Sequence, residues 1–408
     1  MAVALSQSNK FVLTRIANMP RIKKKKHYKE NIFEFDNEVV QINNPKLDNR
    51  LEKYLESVLK PLNFMETFFF CRKYNIRNGK ITPNSVFYNA LSVTFSFLLM
   101  LACGYYIFTS PFTIQMEGYQ YFLQWCRIIF FCLLFTSTFL NCSVNNLRSN
   151  KICLLVLKLQ NVYKVLKMSD DIKSLAFSNW CYIVILHVFH VSWVFYACFF
   201  FTAMGAGNNL TGYCWSALDT NLLYAIRTMK LLTLPLQQWV RQINLTPFHD
   251  EESWTSMLRA YKDILEAYGI FEETFEILVV FYAIHTTLKA LLAIVIRIEL
   301  WKSSFEDRSS MEYFIFSFIS LTWIFKNLVI FILLSVESER LYSAMEEIQS
   351  TCKQFINWNL CSENQKRVCK NIQRLHRTNF KKICVCGVFY IDAAMSIQLS
   401  SIISTYTI

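Results

Sequence analysis

A chain of 408 residues with 53% hydrophobic and 16% aromatic side chains, including 36 Phe and 20 Tyr, is too apolar for a string of soluble domains. Only 8 Gly and 7 Pro exclude a loop-dominated or collagen-like chain, and a mean hydropathy of +0.25 with recurrent apolar runs of membrane-crossing length points to an integral membrane protein. The net charge of +12 is concentrated between those runs, which fits membrane orientation and argues against a nucleic-acid partner.

In chain order, segment 1–85 comes first, and it lacks the continuous apolar core of a cleavable signal peptide. Its run Lys23–Lys26 reads as solvated charge near anionic lipid. Seven apolar segments follow. They are 86–109, 121–143, 180–204, 217–240, 274–298, 312–335 and 387–408. The fourth is weak, carrying Arg227, Lys230 and Pro235; the fifth holds His285 and Lys289, and the sixth only Lys326 as a charge. Helices are expected, because lipid offers no water to backbone groups and the runs are too long for barrel strands. The fold expected is all-α and polytopic. Its divisions are a segment 1–85, helices one to six over 86–335, a helical extension over 336–383, and a last helix within 384–408.

Orientation follows from Lys and Arg in the connections: 34 lie on one side and 3 on the other. That bias predicts a cytosolic N-terminus and, with seven spans, an extracellular C-terminus. A G-protein-coupled receptor has the opposite orientation. The pair Asp307-Arg308 would also lie in an outer loop, away from the cytosolic face where such a receptor needs it.

The 14 Cys do not form a secreted disulfide framework, since only Cys214 falls clearly in an outer loop. Cys384-Val385-Cys386 has the wrong spacing for a zinc pair. There is no Walker loop, no Gly-x-Ser-x-Gly and no His-Glu-x-x-His, so neither an enzyme nor a cofactor or metal is expected. His187 and His190, three apart, read as a packed pair inside a bundle.

Ionisable residues at membrane depth are costly and face protein or water, which singles out Arg127, Arg227, Lys230, His285, Lys289 and Lys326. In the last segment, Met395, Leu399, Ile402, Ile403 and Tyr406 fill an apolar arc, while Ser396, Gln398, Ser400, Ser401, Ser404, Thr405 and Thr407 dominate the other side. Such a stripe either bonds to neighbouring helices or lines a pore. Between 336 and 383, Leu341, Met345, Ile348, Cys352 and Phe355 recur at helical spacing and require a packing partner.

With Cys386-Gly387-Val388-Phe389 leading into a last helix that ends Thr405-Tyr406, the chain resembles the insect gustatory receptors. Length, seven spans and the inward N-terminus agree. The family's motif continues with an apolar run and Gln-Phe, whereas this sequence reads to Ile408, so a last helix shortened at its C-terminus is expected. The resemblance implies a homotetrameric, ligand-gated, non-selective cation channel in the plasma membrane, alone or with other receptors of the family. It implies a small-molecule tastant and surrounding lipid as partners. Gln398, Ser401 and Thr405 would line the pore, and Leu341, Met345, Ile348 and Cys352 would form an anchor between subunits. An outward cleft among helices two to six would draw on Tyr121, Gln124, Trp125, Trp193, Tyr196, Phe200, Asn221, Tyr224, Phe314, Ser317 and Phe318. Sugar-sensing members often carry an acidic residue after Thr-Tyr; Thr407 stands here, which favours bitter or other non-sugar compounds. A sugar receptor is the alternative within the family. A secondary transporter is the alternative outside it, although neither inverted repeats nor Gly/Pro-broken spans are evident.

Overall fold

The computed structural model describes residues 49–109, 117–168, 171–200, 215–245, 251–304, 310–357, 361–385, 387 and 389–405. It is 86% helical. In order, the elements are α1 (Lys53–Phe68), β1 (Asn75–Arg77), β2 (Lys80–Thr82), α2 (Val86–Thr109), α3 (Glu117–Leu147), α4 (Ser149–Val165) and α5 (Asp171–Phe200). There follow α6 (Ser216–Leu245), α7 (Glu251–Ser304), α8 (Ser310–Asn357), α9 (Glu363–Asn379), β3 (Cys384–Val385), β4 (Phe389–Tyr390) and α10 (Ala393–Thr405). The basic run 23–26, the sequon at Asn209, Cys214, Asp307-Arg308, Cys386, Val388 and Tyr406 lie outside the described residues.

Five described helices are long and apolar enough to cross a membrane: α2, α3, α5, α7 and α8. Their outward faces carry large apolar side chains, for example Phe97, Leu98, Ile185, Val188, Phe195, Phe325 and Ile332, all at least half exposed. A helix that is apolar on its exposed face as well as its packed face suits a lipid surround.

The fourth apolar segment differs from these five. α6 is 30 residues long, but its inward surface includes Asp219, Thr220, Asn221, Arg227 and Thr228, all buried. Its composition is too polar for lipid, and the bundle wraps it instead. Arg227 donates to Asn179 of α5 at 2.5 Å and stacks 4.9 Å from the Tyr182 ring.

α7 and α8 run 54 and 48 residues, about 81 and 72 Å at 1.5 Å per residue, far beyond a bilayer's hydrocarbon core. Their excess length forms a second packed region with α4, α6 and α9. Lys158 of α4 bridges Asp263 and Glu266 of α7 at 3.2 and 2.6 Å, and Lys151 pairs with Glu273 at 2.7 Å. α9 opens with a capping box in which the Ser362 hydroxyl accepts from the Gln365 amide at 3.3 Å and the Gln365 side chain accepts from the Ser362 amide at 2.9 Å.

The stripe Leu341, Met345, Ile348 and Cys352 is fully buried within this single chain. Expected to join subunits, it instead seals α8 onto its own neighbours. Trp254 of α7 packs edge-on against Phe355 at 5.7 Å at the end of the same stripe.

The N-terminal elements plug one end of the bundle. α1 lies along α5, with Asn179 donating to the Val58 carbonyl at 2.8 Å and His187 touching the Met65 sulfur. Between β1 and β2, Asn78 and Gly79 both take positive φ, at 54° and 69°. Two such residues give the primed turn whose twist matches the strands, and Asn-Gly is the pair that adopts it most readily.

The last helix also departs from expectation. Residues 384–390 hold a two-stranded hairpin, with Gly387 at φ +73°, so the helix does not begin near Gly387. It begins at Ala393, where the Asp392 carboxylate caps it by accepting from the Ala394 and Met395 amides at 3.0 and 3.2 Å. Its 13 residues span about 20 Å.

Two expectations follow. Ile348→Ala should lower the unfolding free energy of the solubilised chain by about 2–5 kcal/mol, measured by denaturant titration, since it opens a cavity in a closed intrachain core. His376 of α9 sits 7% exposed with Nδ1 2.7 Å from the Tyr261 hydroxyl; burial holds its imidazole below the usual 6.5, despite the opposing field of Glu346. A depressed imidazole favours the docked state fully above pH 6.5, and that contribution is lost as pH falls through and below it. Cleavage of α9 by trypsin should therefore accelerate between pH 7.5 and 5.5 in the parent by more than in His376→Phe.

Candidate functional site

α6 starts at Ser216, just after Trp215, and Asp219 falls in its first turn. A carboxylate there gains from the aligned amides of the helix N-terminus. That gain alone is too small to bury an ion, and Asp219 is only 2% exposed. Three neighbouring helices complete it. His190 Nε2 of α5 lies 3.0 Å from Oδ2, Lys326 Nζ of α8 pairs with the same oxygen, and the Tyr282 hydroxyl of α7 donates to Oδ1 at 2.8 Å. His190 and Tyr282 are fully buried and Lys326 is 9% exposed. Asn327 Oδ1 lies 3.2 Å from the Tyr282 oxygen, fixing that ring from its other side.

Around this ion pair stands an aromatic wall. Trp323 carries the Lys326 ammonium 4.3 Å from its centroid and meets Trp193 and His190 edge-on at 5.3 and 5.4 Å. Trp215 stacks on His285 at 4.4 Å, and Lys289 lies 3.4 Å from the Trp215 centroid and 4.8 Å from that of Trp323. Met100, Cys103, Leu133 and Leu134 close the apolar side, so α2 and α3 contribute as well. One carboxylate thus faces two ammonium groups. The chemistry available is recognition by charge, hydrogen bonding and ring faces; among the described residues no group of three or more His, Cys, Asp and Glu is placed to hold a metal.

A second buried polar hub lies nearer the N-terminal plug. Lys73, fully buried, pairs with Glu66 at 2.9 Å, donates to Asn145 at 3.1 Å and to Asn221, and lies 4.8 Å from the Tyr224 ring. Tyr224 donates to the Tyr74 hydroxyl at 3.0 Å. Burial pushes the Glu66 carboxyl up, against the Lys73 ammonium that draws it down. Ser149 and Asn145 hold the backbone of this loop through the Lys73 and Cys71 carbonyls at 2.8 and 2.5 Å.

The residues expected to line one cleft are therefore divided. Trp193 belongs to the wall of the Asp219 site, half-buried. Tyr196 packs 6.1 Å from Phe318, and Ser317 is buried beside it in sequence with no hydrogen-bond partner among the described residues. Gln124 and Trp125 are exposed, Trp125 at 65%. Asn221 and Tyr224 lie in the Lys73 hub, because two and five residues past Asp219, at about 100° of rotation each, carry them away from the Trp215 wall. The side chains of Tyr121, Phe200, Phe314 and Arg127 are outside the described set.

On α10, Gln398, Ser401 and Thr405 are exposed, while Met395 is buried and the Ser396 hydroxyl meets Ser335 of α8 at 2.7 Å.

Sequence reasoning named Lys289, His285 and Lys326 but missed Asp219, Trp215 and Trp323. Asp219 was legible as the one acidic residue of the fourth apolar segment. No family model matches this sequence, and no curated protein matches it.

Removing the carboxylate should leave two ammonium groups in a dry interior. Asp219→Ala should cost about 3–5 kcal/mol of stability, and adding Lys326→Met should recover much of that loss. Thermal unfolding of the four members of that double-mutant cycle, in one detergent, measures it; independent, additive losses would refute the pairing.

Proposed function

We propose that this chain is a chemoreceptor of the insect gustatory type, a ligand-gated, non-selective cation channel assembled from four copies in the plasma membrane. The observation that carries the reading is the last helix. α10 docks through Met395 and Ser396 and leaves Gln398, Ser401 and Thr405 exposed, a polar face three and four residues apart. Hydroxyls and amides ringed around an axis replace part of an ion's hydration without binding it tightly, which suits weak selectivity. The long continuations of α7 and α8, packed with α6 and α9, supply a rigid base next to that helix. The 34-to-3 distribution of basic residues supports a cytosolic N-terminus, and seven crossings would then put the end of α10 outside.

The aromatic wall of Trp193, Trp215 and Trp323, with its charged groups, is the part of the bundle best suited to recognising a small molecule. A bitter or other non-sugar compound fits this wall better than a sugar, which needs paired acceptors and donors for its hydroxyls.

A secondary transporter is the second reading, and the Asp219–Lys326–His190 cluster favours it, because buried acid–base groups at membrane depth also serve ion coupling. Coupled uptake of substrate without a separate ionic current would select it.

Cysteine placed at 398, 401 or 405 should react with a water-soluble thiol reagent during agonist application and block the current by more than half. Equal reaction with a membrane-confined reagent and no loss of current would put α10 at a lipid or packing surface.

A further inference from the structure

The Asp219 carboxylate is already held by Lys326, His190 and Tyr282. Lys289 is not among its partners. It is 9% exposed and has two indole faces beside it, but no carboxylate, carbonyl or hydroxyl among the described residues accepts from it. One turn back on α7, His285 is 3% exposed, and neither ring nitrogen has a hydrogen-bond partner among the described residues. Trp323 Nε1 and Trp193 Nε1 are likewise buried and without an acceptor among them. Indole faces attract an ammonium but do not take its hydrogen bonds, so each of these groups retains an uncompensated desolvation cost.

The unsatisfied groups are mostly donors. An ammonium and two indole N–H groups are donors only, and the His285 imidazole adds a third N–H beside one acceptor nitrogen. A corner in which donors outnumber acceptors calls for an acceptor, and the uncompensated ammonium calls for a negative one. A carboxylate fits both, with two oxygens able to take several donors, and ring walls suit an apolar or aromatic body behind it.

We propose that this corner of the bundle binds the carboxylate of a small organic acid, with Lys289 as its ion-pair partner, Trp323 and His285 as donors, and Trp215 as the wall. The proposal rests on reading the bundle as a small-molecule receptor and names the ligand class. It is a statement about binding, so it can hold where no current is found and fail where a current exists.

The test uses the full chain in phosphatidylcholine nanodiscs, with benzoate and its neutral counterpart benzamide as probes and indole fluorescence as the readout. Benzoate should give a saturable change and benzamide should bind about tenfold or more weakly. Lys289→Met should weaken benzoate by about tenfold or more, Lys289→Arg by only a few-fold, and benzamide should change little in either. Without probe, Lys289→Met should melt no lower than the parent, because it removes an unpaired buried charge. Equal affinity for the two probes, unchanged benzoate binding in Lys289→Met, or displacement of benzoate by an equal concentration of chloride would each overturn the proposal. So would a marked fall in the melting temperature of probe-free Lys289→Met, which would make Lys289 a structural group. Oleate added to the same nanodiscs separates the sources of the carboxylate: competition with benzoate identifies a lipid-derived acid, and its absence a soluble one. Either result requires that benzoate binds first.

Discussion

A buried carboxylate dictates how the apolar helices meet. Asp219 lies on a helix too polar to face lipid, and its charge is tolerable only where donors converge on it. Three helices deliver them: His190 from α5, Tyr282 from α7 and Lys326 from α8. In lipid, apolar surfaces alone give helices little reason to prefer one neighbour over another, whereas a shared hydrogen-bond centre fixes both register and rotation. The stacking of Trp215 on His285 and the edge contact of Trp323 with Trp193 follow from that placement.

The Lys73 hub works by the same logic at a second level. There the buried ion is a cation from the N-terminal loop, and Glu66, Asn145 and Asn221 bring α1, α3 and α6 to it. Because α6 carries both Asp219 and Asn221, it connects the two centres over less than one helical turn. A shift of α6 that relaxed one hub would disturb the other. α8, which brings Lys326 to Asp219, is in turn bonded to the last helix through Ser335 and Ser396.

Much of this architecture was legible in the residues. Apolar runs located α2, α3, α5, α7 and α8, since a helix facing lipid must be apolar over the stretch that crosses it. The fourth run was harder, because a helix enclosed by others loses the hydropathy signal while keeping its charges. The stripe from Leu341 to Cys352 was legible as a buried face, but periodicity says only that a partner exists, and the partner proved to be the same chain. Cleft residues chosen by helix direction were split between two hubs, since direction gives depth and says nothing of rotation: Trp193 reached the aromatic wall, while Asn221 turned to Lys73. Local signals were present but unread at Asn78-Gly79, which marks the hairpin, and at Asp392, which marks where α10 begins.

The central claim is that the exposed polar face of α10 is completed by other copies of this chain around an ion path. The most direct measurement is an electron cryomicroscopy reconstruction of the full chain in lipid nanodiscs, read for copy number and for the environment of Gln398. The account predicts four copies about one axis, with Gln398, Ser401 and Thr405 of each turned toward that axis. A single copy with this face in lipid, or an assembly whose axis is lined by another helix, would contradict it.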